Sequence, residues 1–175
     1  MILLVAGFLI PMVLRSYFKL DYRDWIASYS EKNDLDPYFV SALIFSESKY
    51  DPKALSRAGA RGLMQVMPAT GAEIASMLGE PFDEETLFDP ETSIRFGTYY
   101  LHLQMERFDH NPAVVLAAYN AGPHRAEQWI KEYGLDSRQH ISYIPFKETD
   151  GYVDKVLAVQ KAYEILYRNA FSAAE

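Results

Sequence analysis

Glu47 lies on the apolar side of a predicted helix, and a carboxyl placed there can hold and release a proton. The segment opens with Asp36, a good N-cap, followed by Pro37 at the first helical position, where a missing N–H costs nothing. Apolar residues then recur at Val40, Leu43 and Ile44, and the next position on that face is Glu47. Desolvation disfavours a charged carboxylate and raises its pKa, so such a group can hold a proton near neutral pH. A general acid needs that property. A helical Glu is more often a solvated surface residue, so the segments C-terminal to Glu47 decide.

Four separated segments differ from ordinary helix filler. The first is Glu47-Ser48, with Ser56 nine residues after the Glu. The second runs over residues 62–68 and contains Gly62, Leu63, Met64, Gln65 and Met67. The third, residues 117–122, contains Tyr119, Asn120 and Gly122; the fourth, residues 144–153, contains Glu148, Gly151 and Tyr152. Gly62 and Gly122 permit close backbone approach or unusual φ. Gln65 offers donor and acceptor together, which suits hydroxyl and acetamido groups. A phenol such as Tyr119 can hold a carboxyl in one rotamer. Taken singly, each has a plainer use: Met64 fills a core, the glycines make turns, Tyr119 packs, and Glu148 caps the last helix. Most of the thirteen tyrosines are expected to be amphipathic packing residues.

In their order and spacing the four segments resemble the lytic transglycosylase domain of the soluble (SLT) type, a goose-lysozyme-like, glycoside-cleaving fold. The resemblance runs from Asp36 to about Tyr167. It implies an all-α, compact, multi-helix domain with a substrate groove. It implies that Glu47 is the single catalytic acid and base, and that Ser56 orients the glutamate or the substrate's N-acetyl group. Gln65 and Met67 would contact the sugar at the cleavage site. Tyr119 would be the phenol hydrogen-bonded to the catalytic carboxyl, with Asn120 beside it, and Glu148 a groove carboxylate that contacts substrate. The implied partner is the peptidoglycan glycan strand. The implied reaction cleaves the β-1,4 bond between N-acetylmuramic acid and N-acetylglucosamine and leaves a 1,6-anhydromuramyl end. No metal or organic cofactor is implied, and a monomer is expected. A lysozyme-type hydrolase on the same fold and a non-catalytic peptidoglycan-binding protein are the competing expectations. Ordinary glycosidases use two carboxylates. Asp51, four residues beyond Glu47, precedes Pro52 and reads as a cap, which leaves one carboxylate in a catalytic setting.

The elements that must position these residues read as helix after helix. A first amphipathic helix is predicted over residues 21–33 and the Glu47 helix from Pro37 to about Tyr50. A polar loop covers residues 51–60, and a short helical turn lies around residues 63–67. Pro68 starts a helix that ends near Gly79, and residues 80–89 form a loop. Asp89-Pro90 repeats the cap-plus-proline start, and its helix places Ile94, Gly97, Leu101, Met105 and Phe108 on one face. Asn111-Pro112 opens a helix over residues 113–120. Gly122-Pro123 breaks and restarts the chain into a helix ending at Gly134. Residues 135–147 are expected to be an irregular surface loop. The last helix is predicted from Gly151 to about Asn169, burying Val153, Val156, Leu157, Tyr163 and Tyr167.

With 175 residues, 49% of them hydrophobic, the chain can bury one sizeable core. The net charge of −7 without a basic run argues against nucleic acid as a partner. Cysteine is absent, so disulfides and thiolate metal sites are excluded. His102, His110, His124 and His140 form no close ligand pair, and no metal site is expected. Residues 1–14 carry no charge, and Arg15 and Lys19 come next. Residues 1–20 therefore read as a hydrophobic signal or membrane anchor, ahead of a catalytic domain over residues 21–175. The uncharged run reaches about 21 Å, against a hydrocarbon core of about 30 Å. No small-x-small cleavage site stands out, so an anchor is expected over a cleaved signal. Positive charge on the C-terminal side of the run conflicts with export of the catalytic domain; basic residues upstream of Met1 would restore the usual pattern. The location of peptidoglycan sets the expected placement: the bacterial envelope, facing the wall.

Overall fold

The structure, a computed structural model, describes residues 2–133, 144 and 146–172. Eight α-helices are described: α1 Ile2–Tyr17, α2 Arg23–Lys32, α3 Pro37–Ser48, α4 Pro68–Leu78, α5 Pro90–Arg107, α6 Pro112–Ala121, α7 Pro123–Tyr133 and α8 Lys147–Leu166. Short-range capping sets three of their starts. Asp36 accepts the Tyr38 N–H at 2.7 Å, Asp89 the Thr92 N–H at 3.0 Å, and Asn111 the Ala113 N–H at 3.1 Å. Each cap precedes a proline at the first helical position.

Helix α3 lies at the centre. All seven residues from Phe39 to Phe45 are buried, so the stripe of three predicted from sequence widens to the whole circumference. Helix α8 packs along both α3 and α6, and α2 and α5 close the other side. Lys49, at φ 52°, ends α3 two residues earlier than the predicted Tyr50; its N–H returns to the Phe45 carbonyl.

Three local expectations change. The predicted helical turn at residues 63–67 is instead a tight loop closed by Arg61 and Val66, which exchange both backbone bonds at 3.0 and 3.1 Å. The predicted loop at residues 80–89 contains a 3-10 turn, Glu84–Phe88, and Arg61 pairs with its Glu84 and Glu85. Helix α8 begins at Lys147 rather than Gly151 and ends at Leu166, three residues short of Asn169. Gly151 sits inside the helix, where a Cβ would meet nothing within 4 Å. Of the residues α8 was expected to bury, Val153, Val156 and Tyr163 are buried, whereas Leu157 and Tyr167 are partly so. Gly134, the expected end of α7, lies outside the described residues. So do residues 135–143 and 145 of the expected loop, His140 among them. Ile144 is buried and Lys147 opens α8.

The end of α1 is fixed to the domain. Arg15 Nε and Nη2 donate to the Leu166 carbonyl at 3.1 and 2.7 Å. Tyr167 donates to the Phe18 carbonyl at 2.8 Å and Tyr163 to the Lys19 carbonyl at 2.5 Å. The Tyr17 and Phe18 rings both meet Phe45 of α3. Among the described residues no helix is long and apolar enough to cross a membrane.

Candidate active site

Glu47 occupies the last turn of α3, half-buried, where α8 crosses. Burial pushes its carboxyl pKa up, and two neighbours offset part of that rise. Tyr152 donates its phenol proton to Glu47 Oε1 at 2.5 Å, and the Lys155 ammonium favours the charged form. Lys155 Nζ also donates to the Ser46 carbonyl at 3.0 Å. α3 has no basic residue in its own last turn. Lys155 therefore supplies, from α8, the cation that a helix C-terminus favours. Tyr152 and Lys155 lie three residues apart, one turn along the same side of α8.

The expected bond from Tyr119 to Glu47 is corrected. The Tyr119 phenol donates to the Met64 carbonyl at 2.8 Å, so its one proton is committed to the loop at residues 61–66. Tyr119 still feels the Glu47 charge, which adds to burial in pushing its own pKa well up. The loop is held from two more helices. Ser48 of α3 donates to the Leu63 carbonyl at 2.8 Å, and the Met64 N–H donates to Ser93 Oγ of α5 at 3.2 Å. Ser48 thus ties the end of the Glu47 helix to the loop that carries Gln65.

Gln65 takes a left-handed backbone at φ 49°. Its Nε2 donates to the Ala54 and Gly62 carbonyls at 3.1 and 2.9 Å, which leaves its amide oxygen as the group for a ligand. Gln65, Met67, Tyr100, Tyr119 and Asn120 line a cavity of about 330 Å³. Met67 is exposed there, and Asn120 Oδ1 accepts the Thr149 hydroxyl at 3.0 Å. Ser56 Oγ accepts the Ala60 N–H at 2.9 Å and closes its own loop. Glu148 is exposed in the first turn of α8, where a negative charge suits the helix dipole. The structure thus gathers Gln65, Met67, Tyr119 and Asn120 in one cavity, places Ser56 and Glu148 in surface elements, and adds Tyr152.

Sequence reasoning missed Tyr152 as the partner of Glu47. The residue stood in the fourth segment, but a helix begun at Gly151 leaves it in the first turn. Starting at Lys147 puts it one full turn in, on the side that meets α3.

The Transglycosylase SLT domain family matches residues 24–142, more than half of the chain. The chain belongs to this family. The matched span holds three of the four segments and ends before Tyr152. Over 166 residues the SLT chain is 36% identical to a soluble lytic murein transglycosylase of Salmonella typhimurium, covering 93% of this chain and 25% of that protein. An inactive mutant of the lytic transglycosylase Slt from Pseudomonas aeruginosa superposes with a TM-score of 0.80 and 32% identity, covering 90% of this chain and 26% of the other. The 70-kDa soluble lytic transglycosylase of Escherichia coli gives a TM-score of 0.79 and 35% identity, covering 88% and 26%. The all-α, lysozyme-like fold is shared with them. The chain spans about a quarter of the length of these relatives.

Proposed function

We propose that this SLT domain is a peptidoglycan lytic transglycosylase. Glu47 protonates the oxygen between N-acetylmuramic acid and N-acetylglucosamine. The substrate's 2-acetamido group stabilises the charge developing at C1. The Glu47 carboxylate then takes the proton of the C6 hydroxyl on the same sugar, and that oxygen closes on C1. The products are a 1,6-anhydromuramyl end and a free N-acetylglucosamine hydroxyl, with no water consumed. The tethered hydroxyl takes the place of a second catalytic group.

One observation carries this reading. Burial raises the Glu47 carboxyl pKa, and among the described residues the groups that act on it are the Tyr152 phenol and the Lys155 ammonium, with no second carboxylate among them. A two-carboxylate glycosidase would place that partner roughly 5–9.5 Å away. Gln65, Met67, Tyr119 and Asn120 line the sugar-binding groove, and Ser56 and Glu148 contact substrate from surface elements outside that cavity. Residues 1–20 attach the chain to the envelope membrane, and the domain over residues 21–175 faces the wall as a monomer. Mass spectrometry of peptidoglycan fragments tests the reaction. The expected product is lighter by one water than the hydrolysis product; hydrated ends alone would mark a muramidase.

Tyr152→Phe is expected to lower kcat/KM by about tenfold to a hundredfold, the scale of one hydrogen bond to a charged group. Tyr119→Phe, which frees only the Met64 carbonyl, is expected to cost less. Equal losses in the two variants would remove Tyr152 from its role.

Lys155→Met is expected to change the pH profile. Glu47 donates as the neutral acid, so activity falls as pH rises through its pKa. Lys155 stabilises the carboxylate and holds that pKa down. Without the ammonium the pKa rises further, and the alkaline limb of kcat/KM moves to higher pH. A limb that stays in place, or moves down, contradicts the assignment.

A further inference from the structure

The latch between α1 and α8 creates a second surface, remote from Glu47. Tyr152 lies near the start of α8, whereas Tyr163, Leu166 and Tyr167 hold α1 near its end. At 1.5 Å per residue the two ends stand roughly 16–22 Å apart. On this far side, Ile10, Met12, Val13 and Tyr17 of α1 are each more than half exposed, and Ile165 of α8 is 78% exposed. A soluble surface rarely gathers so many large apolar side chains.

Beside them lies a cavity of about 350 Å³ lined by Arg15, Lys19, Asp21, Arg23 and Tyr167. Three cations face one carboxylate there, in a chain whose net charge is −7. Next along the chain, Tyr22 and Trp25 stack with ring centroids 5.8 Å apart and planes within 10°. Trp25 remains 37% exposed. An apolar helix followed by Arg, Lys, Tyr and Trp is the order of groups met on passing from hydrocarbon through lipid headgroups to water.

We propose that this face seats the chain on an anionic phospholipid bilayer, with the Arg15–Lys19–Arg23 cavity taking the lipid phosphate. The α1 side chains Ile10, Met12 and Val13 enter the acyl layer. Tyr22 and Trp25 lie at headgroup level, where rings with a polar edge are favoured. Arg15 does two things: its guanidinium fastens α1 to the Leu166 carbonyl, and its charge adds to the field of Lys19 and Arg23. Asp21 opposes part of that field and leaves a net positive lining. The inference rests on the membrane attachment proposed above and not on the cleavage reaction.

Vesicle flotation of the full chain tests it. Vesicles of phosphatidylcholine alone are compared with vesicles containing phosphatidylglycerol. The chain is expected to float with both and more tightly with the anionic ones. The double variant Lys19→Gln/Arg23→Gln is expected to lose about thirtyfold in affinity for the anionic vesicles and little for the neutral ones. Its fold is safeguarded: Tyr163 bonds the Lys19 backbone carbonyl, which the substitution keeps, and among the described residues the ion pair of Arg23 is with exposed Asp24. Met12→Ser/Val13→Ser is expected to weaken binding to both vesicle types. Inorganic phosphate at matched ionic strength is expected not to release the chain. Equal affinity for both vesicle types, or a double variant that binds like the parent, overturns the phosphate site while leaving membrane attachment intact. Failure to float with either overturns both. Release by inorganic phosphate makes the cavity a site for free anions and overturns the proposal.

Discussion

Glu47→Gln is expected to leave a folded protein that cleaves peptidoglycan at least about 10³-fold more slowly, the range of a lost general acid–base catalyst. Gln keeps the shape of the side chain and can still meet the Tyr152 phenol, so the α3–α8 crossing is preserved. What it cannot do is give a proton and take one back. Both halves of the proposed reaction pass through this one carboxyl, so no other group inherits either half. Burial already works against the charged form of Glu47, and a neutral amide removes that cost. The variant should unfold at no lower denaturant concentration than the parent and should still bind glycan strands. Near-parental cleavage by a well-folded Glu47→Gln protein would refute the role of Glu47.

Gly62→Ala is expected to be the most damaging small substitution in the fold. Gly62 sits at φ 73°, and a Cβ there would lie 1.9 Å from the Leu87 carbonyl oxygen and 2.8 Å from Ser93 Oγ. The first contact is with backbone of the 3-10 turn, so no rotamer change relieves it. The same residue donates its N–H to the Ala54 carbonyl at 2.9 Å and accepts from both N–H groups that position Gln65. Movement of Gly62 therefore moves Gln65. A loss of about 4 kcal/mol is expected, at the upper end for single substitutions, and roughly 10 °C in Tm. Gly79→Ala is the control. Gly79 has a similar φ of 70° but nothing within 4 Å of its Cβ. It should cost only about 1 kcal/mol of left-handed strain. Equal unfolding midpoints for the two variants would show that the Leu87 contact is not limiting.

The helices that open with a carboxylate or amide cap and a proline were legible in the sequence, because that chemistry is complete within four residues. Asp36-Pro37 and Asp89-Pro90 each mark a start to the residue, and Asn111-Pro112, read as opening a helix at residue 113, marks one that begins at Pro112. The partial burial of Glu47 was legible because it interrupts an apolar face. What depended on distant partners was not. The loop at residues 61–66 reads as a helical turn by itself, but Ser48, Ser93 and Tyr119 hold it from three helices in a shape that turns Gln65 left-handed. The exchange of Tyr119 for Tyr152 has the same origin. Which phenol reaches a carboxyl is decided by the packing of α8 on α3, and both tyrosines carry plausible local contexts. The start of α8 was misplaced because Gly151 reads locally as a boundary. The contacts that begin the helix earlier, Asn120 with Thr149 and the Ile144 N–H with Asp150, come from outside the helix.

The loop at residues 61–66 also makes the protein its own oxidation gauge. Met64 is fully buried, and Gly97 of α5 passes so close that a Cβ there would lie 2.4 Å from the Met64 sulfur. Met67, three residues on, is 41% exposed. Sulfoxide formation adds an oxygen to the thioether, and at Met64 burial keeps peroxide away and Gly97 crowds one side of the sulfur while the loop stays seated. Met67 reacts with dilute peroxide from the closed state, whereas Met64 waits for the loop to lift. The ratio of the two oxidation rates, read from peptide masses, therefore reports how often the strand carrying Gln65 leaves its place.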